Sequence, residues 1–329
     1  MTGAEVGGHD LDRLAAVAVD VGGTSLKAGI LGPSGLHVLR RVPSRRELGP
    51  DAVLDNITAV AAALVDECAG FGLDVVGVGV AVPGIVDDDG IGRLSVTMGW
   101  HDAPVRRRLA ERLDRPVTVG HDVRTAAVAE ATFGAAAGAH SALFVPIGTG
   151  LAAAVVIDGV IRPGATFRAG EIGQIHVAPG RTLERVASAR AIAERYVAAT
   201  GQAVGSVDAS DVAALVAEGD PAATAVWRDA VDALATVLAG AVAMLDIEVL
   251  VVGGGLCCAG DTLTVPLAAA MQVALPWREL PRLSAARFAA DAGFVGVALE
   301  AWRVAGRDVS ELADAVNATA WGATEKVAG

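Results

Sequence analysis

From residue 15 onward the chain alternates valine with alanine or glycine, in runs too regular for loops and too short for helices. Strand-like runs at 15–21, 25–31 and 36–42 are separated by "GGT" and "GPSG". Alternating runs joined by short glycine turns predict a three-stranded antiparallel meander. Over 50–70 the apolar positions change to helical spacing (Val53, Leu54, Ile57, Val60, Ala61, Leu64, Val65), and "GFG" stops the predicted helix. "DVVGVGVAV" then predicts a buried strand, ended by Pro83 and Gly84 and followed by the turn "DDDG". A helix near 104–113, a short strand "PVTVG" and an Ala-rich helix opening after Asp122 complete this stretch.

The pattern then restarts. "SALFVPIGTGLAAAVVIDGVI" at 141–161 reads as strand, Gly-Thr-Gly turn, strand, Asp-Gly turn and short strand. It repeats the shape of 15–42, with "IGTG" standing where the first copy has "VGGT". A repeat of this kind predicts a duplicated domain, the two copies facing each other across a cleft. Helices are predicted at 184–199, 208–217 and 221–244, a strand at 247–255, a helix near 262–275 and a strand near 285–290. "AGFVGVALEAW" predicts a late helix, and an Ala-rich helix at about 308–325 closes the chain. No Pro/Gly/Ser linker separates the halves, so the boundary comes from the repeat. The expected division is a disordered tail at 1–13, a first domain at 14–120 that the 308–325 helix would complete, and a second domain at 121–305.

Composition narrows the function classes. The 329 residues are 53% hydrophobic and 19% charged, enough for a large core in two domains of ordinary size. A net charge of −12 argues against a nucleic-acid surface, which needs clustered Lys and Arg, but not against a nucleotide held by backbone amides and magnesium. No long uninterrupted apolar span predicts a membrane helix, and the start "MTGAEVGGHDLDRL" lacks the basic and apolar regions of a signal peptide. The three cysteines, Cys68, Cys257 and Cys258, form neither a spaced metal pair nor a disulfide framework. The chain reads as a reduced, cytoplasmic protein.

Three glycine turns each follow a strand: "DVGGT" at 20–24, "IGTG" at 147–150 and "VVGGGL" at 251–256. Glycine lets phosphate oxygens approach backbone N–H groups without a β-carbon in the way. One such turn means little; three at strand ends, two carrying a threonine hydroxyl, point to phosphate. The P-loop pattern is absent, and the dinucleotide fingerprint fails at Cys258 and at Val82, where its third glycine would fall. The acids read two ways. Asp20 is a turn residue or the acid that holds Mg²⁺ through water. Asp122 is a helix N-cap or a general base. Glu171, in "RAGEIGQIHV", is a solubilising loop acid or a ligand.

The order of these pieces resembles the ROK family of sugar kinases and related repressors, within the actin, hexokinase and heat-shock ATPase superfamily. The resemblance rests on "VDVGGTSLKAGI", "VGVAVPGIVD", "GHDVRTAAVAE", "GTGLAAAVVIDG", "RAGEIGQIHV", "VVGGGL" and "DAGFVGVALEAW" in that order, and runs from about residue 14 to 303. It implies an α/β chain of two similar actin-like, ribonuclease H-like ATPase domains with a cleft between them. It further implies that Asp20, Gly22, Gly23, Thr24 and Lys27 meet the phosphates from the first hairpin. Gly148, Thr149 and Gly150 would meet them from the second, and Gly253, Gly254 and Gly255 would line the adenosine site. Asp122 matches the family's catalytic base, and Glu171, Gln174 and Glu184 match positions that bind sugar hydroxyls. ATP and Mg²⁺ would be the cofactors, and homodimers are common among similar proteins.

The pattern breaks around the acceptor. The family's zinc-binding histidine and three cysteines are missing: Gln174 replaces the histidine, and "HVAPGRTLERVAS" contains no cysteine, so no structural zinc is expected. His121 and Thr97 stand where relatives often have asparagine, and Ala152 and Ala153 where glycines are usual. The expectation is an ATP- and Mg²⁺-dependent, glucokinase-like kinase of a primary hydroxyl on a hexose-like sugar. A kinase of a C7-cyclitol or an amino sugar is the close alternative. A non-catalytic sugar-binding regulator is the alternative from another class. Nucleic acid and membrane are not expected partners.

Overall fold

The computed structural model describes residues 11–322, so the expected tail lies almost wholly outside the described residues, as does the end of the expected 308–325 helix. The chain divides into two compact units: residues up to Ala129 together with those from Asp291 onward, and Glu130–Ala290.

In the first unit β1 (Leu14–Val21), β2 (Ser25–Gly32) and β3 (Gly35–Pro43) form the antiparallel meander. The helix α1 (Pro50–Gly70) leads to β4 (Asp74–Val82), parallel to β1. A small sheet of β5 (Ile85–Val86), β6 (Gly92–Ser95) and β7 (Trp100–Ala103) follows, then α2 (Val105–Leu113) and β8 (Val117–His121). The main sheet has the order β3-β2-β1-β4-β8, and α3 (Asp122–Thr132) starts where β8 ends.

Successive side chains on a strand point to opposite faces, and here the two faces differ in size. Val17, Val19, Val78, Val80, Leu26 and Ile30 share one core with Leu54, Ile57, Ala61 and Leu64 of α1. The other positions are Ala16, Ala18, Gly29, Gly77, Gly79 and Ala81. That small-residue face receives α9 (Ala292–Val304), which packs on β1, β4 and β8. A Cβ on Gly79 would lie 2.3 Å from the Val297 carbonyl oxygen, so helix and sheet meet backbone to backbone. This contact places α9 in the first unit, whereas the repeat alone had grouped 121–305 together.

The second unit repeats the sheet. Its strands are β9 (Ser141–Pro146), β10 (Ala154–Ile157), β11 (Val160–Ile161), β14 (Val249–Gly253) and β15 (Arg282–Ala285), in the order β11-β10-β9-β14-β15. Each unit thus has the ribonuclease H-like order that defines the actin-like fold. A two-stranded ribbon, β12 (His176–Ala178) and β13 (Arg181–Thr182), precedes α4 (Leu183–Ala187) and α5 (Ala189–Thr200). Then come α6 (Ala209–Ala217), the long α7 (Pro221–Leu245) and, after β14, α8 (Asp261–Ala274). Leu234 and Leu238 of α7 and Leu263, Leu267 and Met271 of α8 close one core with Leu143, Val145, Leu250 and Val252. Among the described residues no helix is long and apolar enough to cross a membrane.

Three predicted elements take another form. The helix expected over 184–199 breaks at Ser188, whose extended backbone and hydroxyl cap α5 by accepting from Ala191 N–H. The strand expected near 285–290 lies earlier, because β15 pairs with β14 in the register Val249↔Arg282. The N–H groups of Arg287 and Phe288, which a longer strand would have paired, go instead to the buried Glu130 carboxylate (3.1 and 2.9 Å). The closing helix is a 3₁₀ turn (Val309–Leu312) and a short α10 (Ala313–Ala318), ended by extended backbone at Thr319.

Glu130 is fully buried and also accepts from Ala135 N–H at 2.8 Å, so one carboxylate satisfies three backbone donors in two segments. Glu130→Ala is expected to lower unfolding stability by about 3 kcal/mol or more, because buried N–H groups lose charged acceptors. Urea denaturation checks this, and a loss below about 1 kcal/mol would show that water replaces the carboxylate.

Candidate active site

In the first unit the site grows from the end of β1. Period-two alternation puts Asp20 on the same face as Ala16 and Ala18, and Lys27 sits opposite it in the β1–β2 register. Both therefore face the start of α9, where a Cβ on Gly293 would lie 2.5 Å from an Asp20 carboxylate oxygen. The Lys27 ammonium is buried and meets Asp291 Oδ1 at 2.5 Å, while Asp291 Oδ2 accepts Gly322 N–H at 2.8 Å. Lys27, expected at the phosphates, thus has its charge committed to Asp291. The Asp20 carboxyl is pushed up to about 7, first by burial and then by Asp122, with Lys27 and Arg41 pulling the other way.

The turn after β1 closes through Gly22, whose N–H donates to the Ser25 carbonyl at 2.9 Å. Ser44 secures the far side: its hydroxyl donates to the Gly23 carbonyl (3.1 Å) and its N–H to the Thr24 carbonyl (3.0 Å). Thr24 is left exposed. Thr97, expected near the acceptor, borders this turn, its methyl 3.3 Å from where a Cβ on Gly23 would be.

Asp122 opens α3, and the two oxygens of its carboxylate differ. Oδ1 accepts Val123 N–H at 2.8 Å and lies 3.2 Å from His121 Nε2. The Arg124 N–H donates to His121 Nδ1 at 3.4 Å. His121 is nearly buried, whereas the Asp122 side chain stays 35% exposed, so Oδ2 has a way out. Burial pushes the Asp122 carboxyl up to about 6, offset by the Val123 N–H and by Arg124. Beneath this helix start lies Glu300 of α9. A Cβ on Gly120 would lie 2.9 Å from its Oε2, and one on Gly296 would lie 1.8 Å from the Thr125 carbonyl oxygen. Burial pushes Glu300 up to about 7, offset by Arg303, Arg124 and the Thr125 hydroxyl.

The second unit gathers its candidates around the turn after β9. Gly148 N–H donates to Gly150 O (3.0 Å), and Gly148 O accepts Ala189 N–H at the start of α5 (2.9 Å). The break at Ser188 is what brings that N–H to the turn. Glu184, expected to receive sugar hydroxyls, spends Oε2 on Leu151 N–H at 3.0 Å. The loop carrying Glu171 and Gln174 is tied to the same segment: Ala153 N–H donates to Gly170 O (2.7 Å), and a Cβ on Gly173 would lie 2.0 Å from Leu151 O. Glu171 precedes a 3₁₀ turn at 172–174 and Gln174 ends it exposed. Gly254, at φ +73°, lets Ile147 O accept from Leu256 N–H at 3.0 Å, so the second and third glycine turns lie together. Beside them opens a cavity of about 880 Å³, walled by Gly148, Thr149 and Gly255 and by Ala189, Ala193 and Val197 of α5. The Thr149 side chain is exposed at its edge.

Each unit therefore collects its own candidates, and both present glycine turns with free threonine side chains at strand ends. Among the described residues no group of three or more His, Cys, Asp or Glu side chains is placed to hold a metal ion. Asp291, Glu300 and the glycines of α9 lie in "DAGFVGVALEAW", one of the runs that carry the resemblance, but no role at the site is expected of them from sequence.

A two-unit phosphotransferase-like α/β fold with paired glycine turns is the class these features define. Residues 16–303 match the ROK family, and the chain belongs to it. A glucokinase of Halalkalibacterium halodurans is 34% identical over 277 residues, covering 76% of this chain and 83% of its own. The ROK hexokinase of Thermus thermophilus superposes with a TM-score of 0.75 at 31% identity, over 88% of this chain and 98% of its own. A ROK family glucokinase of Streptomyces griseus, solved with glucose and AMPPNP, gives 0.76 at 25% identity, over 88% and 99%.

Glu300 yields a pH test. Its carboxyl stands at about 7 in the folded chain against its ordinary 4.5, so between these the folded state binds more protons and stability falls as pH rises. Glu300→Gln removes that loss. At pH 8 the variant should be the more stable by up to about 3 kcal/mol, with the difference shrinking towards pH 4. Denaturant unfolding across that range checks it; a difference independent of pH would show that Glu300 is not held protonated.

Proposed function

We propose that this chain, an ATP-dependent carbohydrate kinase, transfers the γ-phosphate to a primary hydroxyl of a hexose or hexose-like sugar, with Asp122 as general base. The observation that carries the base assignment is the division of the Asp122 carboxylate. Oδ1 is held by Val123 N–H, and Oδ2 is left to take a proton. A carboxyl near 6 is ionised at neutral pH yet basic enough to accept the hydroxyl proton as attack proceeds. The sugar oxygen then bonds to the γ-phosphorus, the bond to the bridging oxygen breaks, and ADP leaves.

The second unit handles the nucleotide in this reading. Its cavity takes the nucleoside, with Gly253, Gly254 and Gly255 alongside, while the N–H groups and hydroxyl of Gly148, Thr149 and Gly150 meet phosphate oxygens. Gly22, Gly23 and Thr24 do the same from the first unit. Glu171, Gln174 and the remaining oxygen of Glu184 receive sugar hydroxyls. Asp20 suits a hard divalent cation: it is an oxygen donor whose proton is retained by burial and by a second carboxylate, and a cation would offset both. Mg²⁺ held there through water would neutralise charge on the phosphate oxygens.

The acceptor is open to a second reading. His121, with Nε2 3.2 Å from Asp122 Oδ1, stands where relatives often present asparagine to the sugar, and Gln174 ends its turn exposed. These departures favour an amino sugar or a C7-cyclitol over plain glucose.

With ATP and Mg²⁺, at least one member of a panel of hexoses, amino sugars and cyclitols should release ADP; no acceptor among them would sink the kinase reading. Comparing kcat/KM across the panel ranks the two acceptor classes. Asp122→Asn should lower kcat by about 10³-fold while nucleotide still binds, and normal turnover would remove Asp122 as the base. In the wild type, kcat/KM for the sugar should fall as pH drops through about 6, where Oδ2 becomes protonated.

A further inference from the structure

The cavity beside Gly148 and Thr149 has one cationic side chain in its wall, Arg190. Arg190 also lines a second, smaller cavity of about 320 Å³ that holds Glu184. It therefore stands at the partition between the nucleoside space and the acid tied to the Gly150–Leu151 turn. Its backbone is fixed there: Ser188 caps the helix from inside the core, and Ala189 N–H is bonded to Gly148 O at 2.9 Å.

The guanidinium is held loosely. Its side chain is 56% exposed, and Nε approaches Glu194 Oε1 only to 3.9 Å, one turn along the same helix. Such exposed pairs contribute little, so a stronger anion displaces the carboxylate readily. By contrast Arg195, which lines the smaller cavity, is committed to Asp229 Oδ2 and the Val186 carbonyl. In the first unit Lys27 is likewise committed to Asp291.

We infer that Arg190 contacts the phosphate chain of the bound nucleotide, exchanging Glu194 for a phosphate oxygen when the donor enters. The inference rests on the nucleotide reading of this cavity. A planar guanidinium gives a phosphate paired, charge-assisted hydrogen bonds that the glycine N–H groups, being neutral, cannot match. Ala189, Ala193 and Val197 line the cavity together with Glu194, Gln202 and Asp208, so Arg190 is the one cation in its wall that a phosphate can meet.

Equilibrium binding of ATP and of adenosine separates the possibilities. Arg190→Met should weaken ATP about tenfold, and raise its KM similarly, while adenosine affinity and the KM for the sugar stay within about twofold. Arg190→Lys should fall between the two, restoring charge without the fork. Glu194→Gln, which removes the competing carboxylate, should move ATP affinity the opposite way, tightening it about twofold. Equal ATP binding by wild type and Arg190→Met, with the wild type binding well, would overturn this inference alone. Parallel loss of adenosine and ATP in Arg190→Met would also overturn it, because Arg190 would then be a wall of the cavity. A wild type that binds neither compound would overturn the nucleotide reading itself.

Discussion

The approach of α9 to the small-residue face of the first sheet is the contact on which the acid cluster depends. Strands carrying valine or leucine at every position would hold a helix further from the sheet. Here Gly77 and Gly79 remove the side chains that would keep the backbones apart, since a Cβ on them would lie 3.1 and 2.3 Å from the Ala301 and Val297 carbonyl oxygens. The same approach sets Gly293 against Asp20, Gly296 against Thr125 of the Asp122 helix, and Glu300 beneath Gly120. One packing decision therefore fixes the position and the environment of both candidate acids. It also explains the raised Asp20 carboxyl, because a helix laid this close excludes water from a carboxylate that a second acid, Asp122, also pushes up.

The second unit reaches a comparable end by hydrogen bonding. Its glycine turn carries no apolar side chain to pack, so its backbone groups must be satisfied one at a time. Glu184 takes Leu151 N–H, Gly148 O takes Ala189 N–H, Gly170 takes Ala153 N–H, and Ile147 O takes Leu256 N–H. Each partner comes from a different segment, so the turn is a junction of the 170–174 loop, α4, α5 and the third glycine turn. What remains unspent at its tip is the exposed Thr149. A turn held from every side but one is preorganised for a ligand on the open side.

Much of this was legible in the chain. The meander, the helix over 50–70 and the "DVVGVGVAV" strand follow from periodicity, since the strands alternate and the helix does not. The alternation of large and small residues in β1 was visible too, but its meaning needed the helix that lands on the small face. Boundaries failed where a side chain distant in sequence intervened. Ser188 ends α4 by capping α5, and Glu130 takes the N–H groups of Arg287 and Phe288 from a strand that would otherwise have continued. No local propensity encodes a partner 157 residues away.

The candidate site divides along the same line. Residues that act through the backbone, in the turns at 22–23, 148–150 and 253–255, are recognisable from sequence because a glycine-rich turn follows a strand each time. Residues that act through side chains are not, because their partners decide what they can do. Lys27 resembles a phosphate ligand until Asp291 is found against it, and Glu184 resembles a sugar ligand until half its carboxylate is found on Leu151. His121 occupies an acceptor position, yet its Nε2 lies 3.2 Å from Asp122 Oδ1. The nucleotide side of the chemistry is built mostly from the first kind of residue and the acceptor side from the second. For that reason the donor could be argued from a string of letters, while the acceptor must be argued from which oxygens and nitrogens the fold has left unbound.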